Sequence, residues 1–366
     1  MNLTDPALLN TNSVYALYSA MAVYALAFIA FAIDLARRSS AVDAIESGVA
    51  DAAAGETDAA SVAGAAASAG STRTLDRPAV KRPELSRISA RMDNDAALPY
   101  GRSSSLRVGV SLTVLAWVLH LAATLMRGVA ANRVPWANMY EFSMTGTLLI
   151  VTAFLIVLLR SDLRFLGTFV TGLILVLLGV AALKYYVEVA PLPPALQSAW
   201  LVIHVFVASL GTGMFALGFA LSTVQLVQFR RENSVHDVVG TTATGPRAAI
   251  SQALRLRFMA TLPSSVTLEN LAYRISIIGF ILWTFTLMAG SIWAEQAWGR
   301  YWGWDTKEVW TFIIWVIYAG YIHARATRGW RGSRSAWLSI IGFCAVMFNF
   351  GVVNVFFKGL HAYSGL

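Results

Sequence analysis

Eight apolar segments, each long enough to cross a lipid bilayer, constrain this chain more than any other feature. A spanning helix needs about 20 mostly apolar residues to cross roughly 30 Å of hydrocarbon. The segments are 13–35, 106–127, 142–160, 165–186, 200–228, 274–293, 308–324 and 336–357. Only 13% of all residues are charged, against roughly 25% in an average globular protein. The sequence therefore predicts an all-α integral membrane protein, a polytopic bundle of about eight transmembrane helices, and excludes a soluble domain.

The basic residues between these segments predict the orientation of the bundle. With the N-terminus outside, 22 of the 28 Lys and Arg residues lie in inner loops, which is the bias of cytoplasmic loops. We therefore expect an N-out, C-out multi-pass protein of the cell (inner or plasma) membrane. These loops account for the net charge of +8, and no nucleic acid is expected as a partner.

Composition divides the chain into three parts. Residues 1–35 are predicted to form an N-terminal transmembrane helix, and residues 106–366 to form the main membrane domain. Between them, residues 36–105 are Ala-rich and then basic. Because this linker has few large apolar residues to offset the entropy of ordering, it is expected to be a disordered cytoplasmic segment.

An aromatic-rich loop, 293–308, follows the sixth segment on the predicted outer face. Its aromatic residues are Trp293, Trp298, Tyr301, Trp302 and Trp304. One interpretation is an aromatic belt at the membrane interface, where Trp and Tyr collect. The other is a binding surface for a flat aromatic macrocycle. The crowding of Trp residues around two glycines favours the binding surface, and a belt remains the alternative.

Two histidines flank this loop on the same predicted face. His204 lies near the start of the fifth segment and His361 just after the eighth. Imidazole is an axial ligand of haem iron, and two imidazoles would give a six-coordinate bis-His haem. For either histidine alone, a polar residue at the interface is the favoured interpretation, but the occurrence of both with the Trp-rich loop on one face favours ligation. The single cysteine, Cys344, excludes an internal disulfide or a CxxC pair, so thiol chemistry would belong to a partner.

The remaining candidates are less specific. His323, at the inner end of the seventh segment, is a functional candidate because ionisable groups in membrane spans are costly. For His120, in the second segment, a helix-packing hydrogen bond is favoured. Arg133, Arg300 and Lys358 are weaker candidates for pairing with carboxylates of a macrocycle. Asp305 precedes the seventh segment and is predicted to cap that helix.

Several stretches resemble a known family. The run WGRYWGWD, residues 298–305, resembles the WWD signature of haem-handling proteins in cytochrome c maturation. Its continuation TKEVW, 306–310, resembles the CcsA/ResC branch (System II), although that branch usually has Pro where this chain has Thr306. The resemblance extends to PWANMYE (135–141), YAGYIH (318–323) and GLHAY (359–363), and covers about 106–366.

The resemblance implies a haem-handling subunit of the System II cytochrome c synthase. Such a subunit would move non-covalently held b-type haem to the outer face and present it for thioether attachment to apocytochrome c. His204 and His361 would be the outer haem ligands, and His323 a ligand within the membrane. The loop would contribute the rest of the haem surface, namely Trp298, Tyr301, Trp302, Trp304 and Asp305.

The resemblance also implies partners. A Ccs1/ResB-type membrane subunit would complete the holocytochrome c synthase (cytochrome c haem lyase), apocytochrome c would supply a CxxCH motif, and thiol-reducing proteins would act on the outer face. The alternatives are a haem exporter or chaperone without attachment activity, and a quinone-reactive bis-His membrane cytochrome. A solute transporter would leave the Trp-rich loop unexplained.

Overall fold

The computed structural model describes residues 5–66, 103–192, 196–240, 259, 261–327, 330–357 and 359–361. In this part of the chain the regular elements are helices, and no strand occurs. The α-helices are α1 (Pro6–Ala66), α2 (Ser104–Ala131), α3 (Met139–Leu158), α4 (Gly167–Lys184), α5 (Ala199–Gly240), α6 (Ser265–Trp298), α7 (Thr306–Ala326) and α8 (Ser333–Met347). A 3-10 turn (Arg164–Leu166) leads into α4, and a π-helical segment (Phe348–Val353) and a final turn (Asn354–Phe356) follow α8.

Within the described ranges, seven helices are long and apolar enough to cross a membrane. They are Pro6–Arg38, Ser104–Ala131, Met139–Leu158, Arg164–Lys184, Ala199–Asn233, Ser265–Trp298 and Ser333–Phe356. The chain is therefore a polytopic all-α membrane protein, as the sequence predicts. The eighth predicted segment, 308–324, is helical as α7 but is not among the seven, because charged residues at both ends and Trp and Tyr in its middle lower its mean hydropathy.

The first helix differs from the prediction. Disorder is predicted from residue 36 onward, whereas α1 continues to Ala66. The physical reason is that Ala has the highest intrinsic helix propensity, so an Ala-rich stretch extends a helix that has already been nucleated. The rest of the predicted linker, 67–102, lies outside the described residues.

Helix α1 packs along α2 and also against α4. Two glycines allow the close approach of the Phe31 ring: a Cβ built at Gly109 would lie 2.8 Å from it, and one at Gly167 would lie 2.5 Å away. Both distances are shorter than real carbon contacts, so only glycine admits Phe31 at these positions. The N-terminal helix is thus fitted into the bundle.

The other helices pack around α5. Helix α6 lies along α5, α3 and α8 also contact it, and α7 packs on α8. In the core between them the rings of Phe215 and Tyr318 stack, with centroids 3.6 Å apart. This arrangement brings the start of α5, the end of α6, the start of α7 and the chain after α8 to one end of the bundle, called here the histidine end.

Candidate functional site

A cavity at the histidine end is lined by both His204 and His361. The space among its lining residues is about 1290 Å³, part of it open to solvent. A smaller neighbouring cavity also contacts both imidazoles, together with Tyr301 and Trp302. Two residues 157 positions apart in the chain therefore face the same space, in which apolar and aromatic side chains predominate.

The imidazole of His204 is held from one side. Its Nδ1 lies 2.9 Å from the carbonyl oxygen of Thr286 on α6. A carbonyl only accepts hydrogen bonds, so Nδ1 carries the proton and donates it, leaving a lone pair on Nε2. The ring also stacks on Trp293, with centroids 5.9 Å apart and planes inclined by 20°. Within the described residues no hydrogen bond reaches Nε2 of His204.

His361 is held in the same manner by a carboxylate. Its Nδ1 donates to Oδ2 of Asp305 over 2.7 Å, and the backbone N–H of Leu360 donates to the other carboxylate oxygen over 3.3 Å. Close approach of the backbone at Gly359 is required, since a Cβ there would collide with Asp305. The Nε2 atom of His361 likewise has no hydrogen bond from the part of the chain that the structure describes.

Asp305 has two roles, of which the sequence predicts one. It is the N-cap of α7, as expected, in a capping box whose reciprocal contact is the 3.1 Å bond from the Asp305 N–H to Glu308. Its bond to His361 comes in addition. The pKa of Asp305 is lowered, chiefly because it accepts this hydrogen bond from His361, so the carboxylate is ionised at neutral pH.

This arrangement fits haem better than a bare metal ion. A ligating histidine usually donates its second ring N–H to a carboxylate or carbonyl, which fixes the ring and its tautomer. Both histidines do so here. Among the described residues there is no group of three or more His, Cys, Asp or Glu that could hold a metal ion. Two imidazoles alone suit an iron whose four in-plane ligands come from a macrocycle.

The aromatic loop forms two groups. Trp298 contacts His361, with ring centroids 4.8 Å apart, and also Trp293. Trp302 and Trp304 pair with each other at 5.9 Å, and Trp302 also contacts Phe312. Helix α6 ends between the two groups at Gly299, whose backbone has the left-handed conformation (φ 68°).

Two aromatic side chains of the loop are largely open to the surroundings. Trp304 is 73% exposed and Tyr301 63% exposed, whereas Trp302 is half-buried and lines the smaller cavity. Trp304 has φ 59°, a conformation that costs a non-glycine residue on the order of 1 kcal/mol or more. The tertiary structure thus joins Trp298 to the histidines and turns Trp304 outward.

The sequence alone does not predict that two further side chains, Trp293 and Lys307, belong to this site. Trp293 is 2% exposed and contacts both imidazoles. Lys307 lines both cavities, and its Nζ donates to the Asn349 carbonyl and to Oδ1 of Asn354. Both residues lie within the aromatic-rich loop 293–308. However, no local feature of the sequence distinguishes Trp293 from the other tryptophans or predicts that Lys307 lines the cavities.

The weaker candidates lie apart from the histidines. Arg133 forms an ion pair with the buried Glu141, at 2.6 Å. Arg300 lies against its own loop, where it donates to the Gly303 carbonyl over 3.2 Å. His120 is fully buried, and its Nδ1 lies 3.5 Å from the hydroxyl of Tyr24 on α1. That contact between two helices is of the kind expected for His120.

His323 lies at the opposite end of α7. Eighteen positions separate it from Asp305, or about 27 Å along the helix axis. Its side chain is exposed. The neighbouring Arg325 is held by Glu269 at 2.7 Å. The structure therefore does not bring His323 to the cavity of His204 and His361.

Glu141 anchors the chain segment that carries Trp136 and Asn138, two cavity-lining residues. It accepts from Arg127 and Arg133, and Arg127 and Glu141 are both fully enclosed. Glu141→Gln leaves two guanidinium groups without their carboxylate, and we expect a loss of about 3 kcal/mol or more in the free energy of unfolding. Denaturation of the purified wild type and variant in detergent measures this loss of stability. The control is Asp162→Asn, which weakens an ion pair with Arg164 whose two side chains are each 25% exposed, so that solvent screens the pair and the loss should be smaller. Equal losses would contradict the prediction.

Gly290 gives a second test of the site. A Cβ at this position would lie 2.6 Å from Cε1 of His204, so Gly290→Ala should displace the imidazole, and the low-spin haem binding that the resemblance implies should then fall by about tenfold or more. The control is Gly146→Ala in α3, which lines the larger cavity but has no neighbour within 4 Å of the added carbon. Absorption spectra of both variants measure the effect. Identical spectra would show that His204 does not depend on this contact.

The fold and site define a class of protein: a polytopic helical membrane protein with paired imidazoles in a cavity at one end of its bundle. The chain belongs to the cytochrome c assembly protein family, whose profile matches residues 136–361. It therefore takes part in cytochrome c maturation.

Relatives named cytochrome c biogenesis protein CcsA support this assignment. The protein from Guillardia theta is 32% identical over 267 residues, which are 71% of this chain and 86% of the relative. The protein from Synechococcus elongatus is 34% identical over 264 residues, 65% and 81% of the two chains. The protein from Porphyra purpurea is 31% identical over 293 residues, 74% and 92% of the two chains.

Proposed function

We propose that this chain binds b-type haem non-covalently between His204 and His361 and presents it for covalent attachment to apocytochrome c. The observation that carries the proposal is the pair of imidazoles facing one cavity, each bonded through Nδ1 and each with an Nε2 that makes no hydrogen bond to the described residues. We further propose that the site lies on the outer face of the cell membrane, as the distribution of basic residues predicts.

Haem is the substrate in this proposal. It supplies two vinyl groups, and each CxxCH thiol adds across one of them, so that a carbon–sulfur bond forms, the thiol hydrogen goes to the other vinyl carbon and nothing leaves. The protein provides position and electrostatics. Asp305 makes the imidazole of His361 more electron-donating and fixes its ring, and the Thr286 carbonyl does the same for His204. Two imidazoles at the iron leave no open coordination position for oxygen.

We assign the membrane-side haem contact to His323. Its exposed side chain and its distance from the His204/His361 cavity support a separate, earlier position for haem. The resemblance to the CcsA/ResC branch implies that the other ligand comes from a Ccs1/ResB-type membrane subunit. With that subunit the chain would form a holocytochrome c synthase, served by thiol-reducing proteins that keep the CxxCH cysteines reduced.

Reconstitution in cells tests the proposal. The chain is coexpressed with a Ccs1/ResB-type subunit and an apocytochrome c in cells without other maturation systems, and covalent haem is detected on the cytochrome after denaturation. We expect covalent haem only when both membrane subunits are present. Haem bound to the purified complex without attachment would instead indicate an exporter or chaperone. Reversible redox cycling with quinones would indicate a bis-His membrane cytochrome.

The absorption spectrum of the purified chain, with and without its partner, is the simplest test. A Soret band with split low-spin features is expected. Its absence from both preparations would refute haem binding by this site.

A further inference from the structure

We infer that Lys307 binds a propionate carboxylate of the haem substrate, an inference that rests on the proposed function. Lys307 is the second residue of α7, and its side chain lines both cavities that His204 and His361 share. Among the described residues lining these two cavities it is the only Lys or Arg. An anionic group entering this space would meet this ammonium before any guanidinium.

The ammonium of Lys307 is held by neutral acceptors. Its Nζ donates to the Asn349 carbonyl over 2.9 Å and to Oδ1 of Asn354 over 2.7 Å. An ammonium has three donors, so one remains beyond these two. No ion pair to Lys307 occurs in the part of the chain that the structure describes. A cation in a mainly apolar cavity is costly unless it is paired, so burial lowers the pKa of Lys307 to about 7, and a ligand carboxylate would supply the missing charge and favour the ammonium form.

The nearest carboxylates in sequence are engaged elsewhere. Asp305 accepts from His361 and from the Leu360 N–H. One oxygen of Glu308 accepts from the backbone N–H groups of Gly303 and Asp305. Both carboxylates thus hold the aromatic loop and the His361 segment in place, and neither forms an ion pair with Lys307.

The local backbone after α8 fixes the position of Lys307. Asn349 lies in the π-helical segment Phe348–Val353, and Asn354 follows it directly. Single π-helical turns within helices occur frequently at functional sites. The π-helical segment and the residue that follows it thus each give the ammonium one acceptor. Arg133 and Arg300, the two arginines that the sequence offers for propionates, are bonded to Glu141 and to the Gly303 carbonyl, and Lys358 lies outside the described residues.

The test compares haem with its dimethyl ester, in which both propionates are neutral. The full-length chain is purified without haem and titrated with each compound, and binding is followed by absorption. Because a charge-assisted hydrogen bond would be lost with the ester, the wild-type chain should bind haem about tenfold or more tightly than the ester. Lys307→Met should weaken haem binding by a similar factor and leave ester binding unchanged. Lys307→Arg should retain most of the preference.

Lys184→Met is the matched control, because Lys184 is an exposed lysine at the end of α4 that does not line either cavity. It should preserve the wild-type preference. The inference is overturned if Lys307→Met keeps that preference, or if wild type binds haem and its ester equally, a result that needs no variant. If wild type binds neither compound, the proposed function fails.

Discussion

Replacing His204 or His361 with Ala is expected to abolish the low-spin spectrum of bound haem and to lower cytochrome c maturation by more than about tenfold. Each variant leaves one axial imidazole, so the haem should become five-coordinate and more easily oxidised. The aromatic contacts of Trp293 and Trp298 remain, and haem content should therefore fall without vanishing. Absorption spectra of the purified variants and covalent haem on the cytochrome measure the two effects.

Added imidazole serves as the internal control for this prediction. The free base is small enough to occupy the position that the missing side chain leaves, and it should partly restore both the low-spin spectrum and maturation. A histidine that only lies at the membrane interface gives no reason for such a rescue. A double His204→Ala, His361→Ala variant that inserts normally and matures cytochrome c at the wild-type level would refute ligation by these residues.

Replacing Asp305 should have the second large effect on haem binding, because this residue caps α7 and also holds the ring of His361. Asn is as good an N-cap as Asp, so Asp305→Asn keeps the cap of α7 and weakens only the contact with His361. We expect about 10- to 100-fold lower haem affinity or maturation with little loss of stability. Asp305→Ala removes both contacts and should cost about 1 kcal/mol more in the free energy of unfolding.

Haem titration and denaturation of the two variants separate these contributions. If Asp305→Asn binds haem as wild type does, while Asp305→Ala is only less stable, then Asp305 is a helix cap and does not support His361 in ligation.

The same carboxylate predicts a pH dependence. The pKa of Asp305 is lowered in the folded protein, so its ionised form stabilises the fold above the ordinary aspartate pKa of about 4. That contribution is lost as the pH falls through the lowered value. The stability difference between wild type and Asp305→Asn should therefore be present at about pH 5 and disappear as the pH falls further. Denaturation over a pH series from about 5 downward measures the difference, and a gap that persists unchanged through this range would contradict the assignment.

The sequence by itself determined the elements whose signals are local. Apolar runs of spanning length specify membrane helices, since lipid requires every backbone polar group to be bonded within its own segment. The Asp305 cap was predictable because its partners are three residues away or fewer. The motif around 298–305 and the two flanking histidines were also evident, and so was the family. The extension of α1 to Ala66 was missed because a compositional argument for disorder outweighed the helix propensity of Ala.

Only the tertiary structure decided which side chains meet. The bond of Asp305 to His361 joins residues 56 positions apart, that of Lys307 to Asn349 joins residues 42 apart, and that of His204 to Thr286 joins residues 82 apart. The division of the loop into Trp298 beside His361 and Trp304 facing outward has the same origin. Such contacts depend on how α5, α6, α7 and α8 pack and on the turn at Gly299. Hydropathy and spacing predict which residues lie at the same end of a bundle, but helix packing determines which of those residues contact each other.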